Sequence, residues 1–143
     1  MTEWFWLISK RDVITMYVPF PGIDSTLAVN SHMYICMQDG NNKEFIKCQT
    51  FKPTHLIKDK PPYQFIVERP NSSRNPFKKT TTIDCDKSFC ISNVTISRDL
   101  LAWRNICTEL FDAISNKIKH SAFYQVVLDP KQLSNINPYI RHP

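Results

Sequence analysis

The chain has 143 residues, 42% of them hydrophobic and 12% aromatic, enough for one ordered domain with its own core. Eighteen Lys and Arg against 13 Asp and Glu leave a net charge of +5. That balance suits a polyanionic partner such as RNA, DNA or an acidic protein segment, and equally suits a solvated basic surface. No apolar run approaches a membrane span, because Arg11 and Asp12 interrupt the early Trp4-Phe5-Trp6-Leu7-Ile8. Glu3 precedes that run and no small-residue cleavage site follows it, so a signal peptide is not expected. The run is expected to pack on the core of a cytoplasmic protein.

In chain order, residues 12–18 form a β-branched run that ends at Pro19-Phe20-Pro21-Gly22, a strand followed by a loop. Residues 32–37 and 44–49 flank a connector that contains Asp39-Gly40, a strong hairpin signal. Residues 63–67 form a short strand fenced by Pro61-Pro62 and Pro70. An exposed polar loop carrying Arg74, Lys78 and Lys79 leads into a strand over 80–84, and a further short strand over 87–93. Leu110, Phe111, Ile114 and Ile118 stand at helical spacing, with Lys117 and Lys119 placed to offset the helix dipole. The Pro- and Asn-containing tail beyond is expected to be loosely ordered apart from an apolar piece over 123–128. Short strands, one long helix and no βαβ alternation predict a mainly β (α+β) single domain over 1–143. Its parts are a small barrel over about 10–95, a C-terminal α-helix over about 106–119 and an extension over 120–143.

The chemistry concentrates in Thr80-Thr81-Thr82-Ile83-Asp84-Cys85-Asp86-Lys87, a β-rich run that closes on ionisable groups. Alternation along a strand turns Asp84 and Asp86 to one side, where paired carboxylates serve acid/base work or hold a metal, although such a pair is more often a solvated strand end. Thr50 follows a strand and precedes Lys52, so hydroxyl and ammonium could hold a phosphate; the plainer reading makes Thr50 a turn cap. His32 opens a strand and titrates near neutral pH, although a lone His is more often structural. Walker A, G-x-G-x-x-G, G-x-S-x-G and H-E-x-x-H patterns are missing, which removes support for familiar nucleotide-dependent and triad chemistries. The five cysteines, Cys36, Cys48, Cys85, Cys90 and Cys107, form no C-x-x-C pair. They are expected as reduced core thiols, with no metal site and no cofactor. Cleaving RNA without a metal needs a base for the 2′-hydroxyl, an acid for the leaving oxygen and donors for the phosphorane charge. Asp86, His32, Thr50, Lys52 and Lys87 could supply these roles if the fold brings the strand ends together.

The order of these segments resembles the PemK/MazF (Kid-like) toxins of toxin–antitoxin systems. Residues 12–22 look like the family's first strand and Pro-Gly loop, 32–37 like the strand opened by a basic residue, and 44–50 like the strand ending in the site threonine. Ile83-Asp84-Cys85-Asp86-Lys87 is similar to the Cys-Asp-Gln segment, and 108–119 to the closing helix. The resemblance spans roughly 11 to 120 and implies an SH3-like barrel that cuts single-stranded RNA without metal. It also implies a homodimer and a cognate antitoxin, either an acidic protein or, in the related type, an RNA. Carried over residue by residue, Asp86 is the catalytic base, Thr50 the site threonine, and His32 stands where the family usually has Arg. Asp84 stands where some members carry the Arg proposed as acid, so substrate charge falls to His32, Lys52, Lys87 or a loop base such as Arg74. Two other functions remain open on the same scaffold: a non-catalytic module binding protein or nucleic acid, and a gyrase-directed inhibitor acting through the C-terminal helix and tail.

Overall fold

The structure, a computed structural model, describes residues 8–57 and 59–143. Of the N-terminal aromatic run only Ile8 is described, and it is fully buried in the core; Trp4, Phe5 and Trp6 lie outside the described residues. The element order is β1 (Val13–Met16), α1 (Thr26–Val29), β2 (His32–Cys36), β3 (Lys43–Thr50), a 3-10 turn (Pro53–Leu56), β4 (Phe65–Glu68), β5 (Thr81–Asp84) and β6 (Lys87–Ile91). Then follow β7 (Thr95–Ile96), a second 3-10 turn (Arg98–Leu100), α2 (Thr108–Lys117), β8 (Tyr124–Val127), α3 (Pro130–Ile136) and β9 (Ile140–Arg141).

The chain is mainly β. Strand β3 is the axis of a seven-stranded sheet, with β2 antiparallel on one edge and β1 outside it. On its other edge β6 opposes residues 43–45 and β5 opposes residues 48–50, so two short strands share one partner. Strand β4 lies outside β5, and β8 lies outside β6, parallel to it. The β2–β3 hairpin forms around Asp39-Gly40 as the sequence predicts, with Gly40 at φ +96°, a conformation that favours glycine.

Alternation along the strands sends apolar side chains to both faces, and both faces are covered. Ile14, Met16, Tyr34, Cys36, Phe45 and Phe89 pack beneath β9 and α3 through Ile140 and Leu133. Val13, Ile35, Ile46, Cys48 and Ile83 pack beneath α2 through Leu110 and Ile114. This explains why the expected barrel does not close. A barrel keeps one face inward, whereas this open sheet runs from β1 to β4 with a layer on each side. The outer edge of β1 is occupied by residues 101–106, through Ala102 N–H to the Val13 carbonyl and Ile106 N–H to the Arg11 carbonyl.

Two other expectations are corrected. A β-strand, helix, parallel β-strand unit does exist, because α2 lies between the adjacent parallel strands β6 and β8. The tail is ordered as β8, α3 and β9: the Asp129 carboxylate caps α3 by accepting the Lys131 N–H at 2.9 Å, and Pro130 occupies its first turn. Among the described residues, no helix is long and apolar enough to cross a membrane.

The buried ring of Phe89 meets both Phe20 and Tyr34 edge-on at centroid distances of 5.6 and 6.0 Å. Phe89→Ala should therefore cost about 3–5 kcal/mol in urea unfolding, whereas Val127→Ala, on a side chain 79% exposed, should stay within about 0.5 kcal/mol.

Candidate functional site

Thr50 is the last residue of β3 and His32 the first of β2, and β2 runs antiparallel to β3, so the two lie at the same end of the sheet. Alternation turns them toward opposite faces, yet both line one surface cavity of about 300 Å³ that opens at the strand ends. Lys78 and Lys79 form another wall, and Ser31, Gln49 and Thr81 add hydrogen-bonding groups. Cations, hydroxyls and an imidazole around one concavity can hold a phosphate diester.

His32 Nδ1–H donates to the Asn30 carbonyl at 3.1 Å. That fixes the proton of the neutral ring on Nδ1 and leaves the Nε2 lone pair available. Burial lowers the His32 pKa below 6.5, opposed by the Asn30 hydrogen bond and aided by the charges of Lys47 and Lys52. The ring is thus a neutral base at physiological pH.

The sequence reading missed His55. It is 7% exposed, on the 3-10 turn, with Nδ1 2.7 Å from the Thr82 hydroxyl and 3.2 Å from the Lys52 amide, and Nε2 3.2 Å from the Gln49 amide nitrogen. The Lys52 N–H donates to Nδ1, so the single lone pair of the neutral ring lies there and Nε2 carries the proton that faces the Gln49 side-chain amide. An imidazolium, which only donates, would lose the Lys52 contact, and burial followed by the charges of Lys52 and Lys47 also lowers the His55 pKa. Gln49 thereby ties His55 to the cavity wall. The Thr82 contact reaches across 27 residues of sequence, so no local pattern announces it.

The remaining predicted residues lie elsewhere. Asp86 does not join His32 and Thr50: it lies past the far end of β5, and its two carboxylate oxygens accept the Tyr63 and Gln64 N–H groups at 2.7 Å each. Both oxygens are committed to holding a loop, which corrects the expectation of a general base beside Thr50. The predicted side-by-side pairing of Asp84 and Asp86 also fails, because β5 ends at Asp84 and the alternation stops there. Asp84 is 1% exposed and accepts from Lys87 Nζ at 2.9 Å and from the Asp86 N–H at 2.8 Å, with Lys47 Nζ at 3.8 Å. Lys87 is therefore an ion-pair partner rather than a free substrate cation. Burial lowers the Lys47 pKa, a shift that Asp84 opposes. Arg74 is bound to Glu68, Nε to Oε2 at 2.9 Å, in a network that Asn75 completes, so it serves the 69–79 loop. Lys52 is exposed and its charge reaches both histidines. Lys78 and Lys79, which the sequence placed only in a polar loop, take the positions expected of Arg74 and Lys87.

Three of the five thiols are held in the core. Cys36, Cys48 and Cys85 are buried, and burial raises their pKa values, Cys36 to about 11 and Cys85 to about 12, so all three stay protonated.

No family model, no curated protein and no solved structure matches this chain.

Both histidines have native pKa values below 6.5, so their contribution to stability is complete above about pH 6.5 and is lost as pH falls through the native values. Urea unfolding followed between pH 7.5 and 5.5 should show wild-type stability declining toward acid. His55→Gln should flatten that decline, and His32→Gln, His55→Gln together should flatten it further; an unchanged slope in the double variant would contradict the assignment.

Proposed function

We propose that the chain is a PemK/MazF-like endoribonuclease toxin that cuts single-stranded RNA without a metal, with the scissile phosphate in the cavity between His32 and Thr50. The observation that carries this reading is the meeting of those two residues with Lys78 and Lys79 around one concavity. His32 Nε2 takes the proton from the 2′-hydroxyl as its oxygen attacks phosphorus. The Thr50 hydroxyl and the two ammonium groups stabilise the charge on the phosphorane oxygens. The bond to the 5′-oxygen then breaks, and that oxygen takes a proton from a lysine ammonium or from water. His32 replaces the aspartate that the family resemblance nominates. An SH3-like kinship of the β1–β2–β3–β5 strands, a homodimer, a cytoplasmic setting and an antitoxin partner belong to the same proposal.

A second reading is favoured by the engagement of Asp86: with that carboxylate committed to two amides, the cavity serves a non-catalytic module that holds single-stranded RNA. Incubating the purified chain with a long unstructured RNA in EDTA separates the two. The enzyme reading expects mapped cuts that His32→Ala and Thr50→Ala each slow by about 10²-fold or more, with circular dichroism unchanged. Binding without cuts, weakened by Lys78→Ala and Lys79→Ala, would replace it with the module. Neither binding nor cutting would overturn both.

A further inference from the structure

A second cavity, of about 490 Å³, is lined by His55, Leu56 and Ile57 and by Pro62, Tyr63, Gln64 and Phe65. It is mostly apolar, yet Leu56 is 64% exposed, Tyr63 57% and Ile57 44%. Single exposed apolar side chains are ordinary; three around one concavity mark a surface that takes up something flat and apolar. The wall that carries Tyr63 is also held firmly. Asp86 accepts the Tyr63 and Gln64 N–H groups, and the Cys85 N–H donates to the Gln64 carbonyl at 2.8 Å, so this two-residue backbone is tied on both sides. A carboxylate spent on fixing the approach to an exposed aromatic ring preorganises that ring.

We propose that this cavity is a nucleobase subsite, in which a base next to the scissile phosphate stacks on Tyr63 and meets the Gln64 amide at its edge. The inference rests on the RNA reading given above and extends it. His55 connects the two sites: it forms a wall of the apolar cavity, and its Nε2 touches Gln49, which lines the cation-bearing one. Exposed Lys52 immediately precedes the 3-10 turn that carries His55. Cations along a path with an aromatic ring at one end are the arrangement by which proteins hold single strands, the backbone on the charges and the bases on the rings. Continuity with that cationic wall argues for a base rather than an apolar protein segment. It also gives Asp86 a job. Asp86 is a positioning residue that fixes Tyr63, rather than a group that handles protons.

The test uses the whole chain and a 2′-O-methyl oligonucleotide, which binds without being cut, carrying a single 2-aminopurine moved through successive positions. Binding should quench the fluorophore at one position. Tyr63→Phe should keep both quench and affinity, while Tyr63→Ala should lose the quench and about tenfold in affinity. Asp86→Asn should weaken the quench and leave the pH profile of RNA cleavage unmoved. If Tyr63→Ala binds and quenches like wild type while Lys78→Ala weakens binding, the subsite is refuted and the phosphate site stands. Loss of cleavage in Asp86→Asn at every pH, with affinity unchanged, would restore Asp86 as the base and refute its positioning role. If the wild-type chain does not bind the oligonucleotide, the RNA reading fails and takes the subsite with it.

Discussion

Strand β3 is the constraint on which the rest of the molecule depends. It is flanked on both edges, by β2 along residues 45–48 on one side and by β6 at 43–45 and then β5 at 48–50 on the other. From Ile83 opposite Cys48 to Phe89 opposite Phe45 the neighbouring chain advances six residues while β3 advances three, so three residues are pushed out of register between them. That excursion carries Asp84 and Asp86. Asp84 is drawn inward and met by Lys87 and Lys47, so its buried charge is compensated from two sides. Asp86 faces the other way and grips the loop ahead of β4. At its far end β3 delivers Gln49 and Thr50 to the cavity. One strand and its split partner thus fix the buried ion pairs, the clamped loop and the cavity wall.

The electrostatic character of the cavity follows from what surrounds it. His32 and His55 are both partly or wholly desolvated beside Lys47 and Lys52, and each influence favours the neutral ring. Neutral imidazoles next to cations are suited to accepting a proton from a group that an ammonium has already drawn in. Lys52, Lys78 and Lys79 are exposed at this end of the sheet, whereas Lys87 and Arg74 are taken up by Asp84 and Glu68.

The legible parts of the fold were those set by short-range signals. Asp39-Gly40 marked the hairpin, apolar spacing marked α2, and the ends of the runs at His32 and Thr50 marked a shared strand end. What stayed hidden depends on partners distant in sequence. Strand count does not say whether a sheet closes, and the alternation of β1, β2 and β3 in fact supplies both faces with apolar side chains, which favours an open layer over a barrel. The parallel pairing of β6 with β8 spans the whole of α2. The Asp84–Asp86 pairing failed because two-residue alternation was carried past the end of β5, and the resemblance, not any local signal, set Asp86 beside Thr50. His55 was overlooked because its environment is made by Thr82 and Gln49. Only α3 had a readable signal that was passed over, the Asp129-Pro130 cap.

The central claim is that single-stranded RNA lies across the end of the sheet, on Thr50 and His32. Amide chemical-shift mapping of the full chain with a non-cleavable 2′-O-methyl single strand tests it most directly. The account predicts the largest shifts at residues 31–33, 48–50 and 78–79, extending to 55–57 and 63–65, with the 124–127 edge strand unaffected. Shifts centred on 124–127 or on the α2 surface, with the 48–50 amides unmoved, would contradict it.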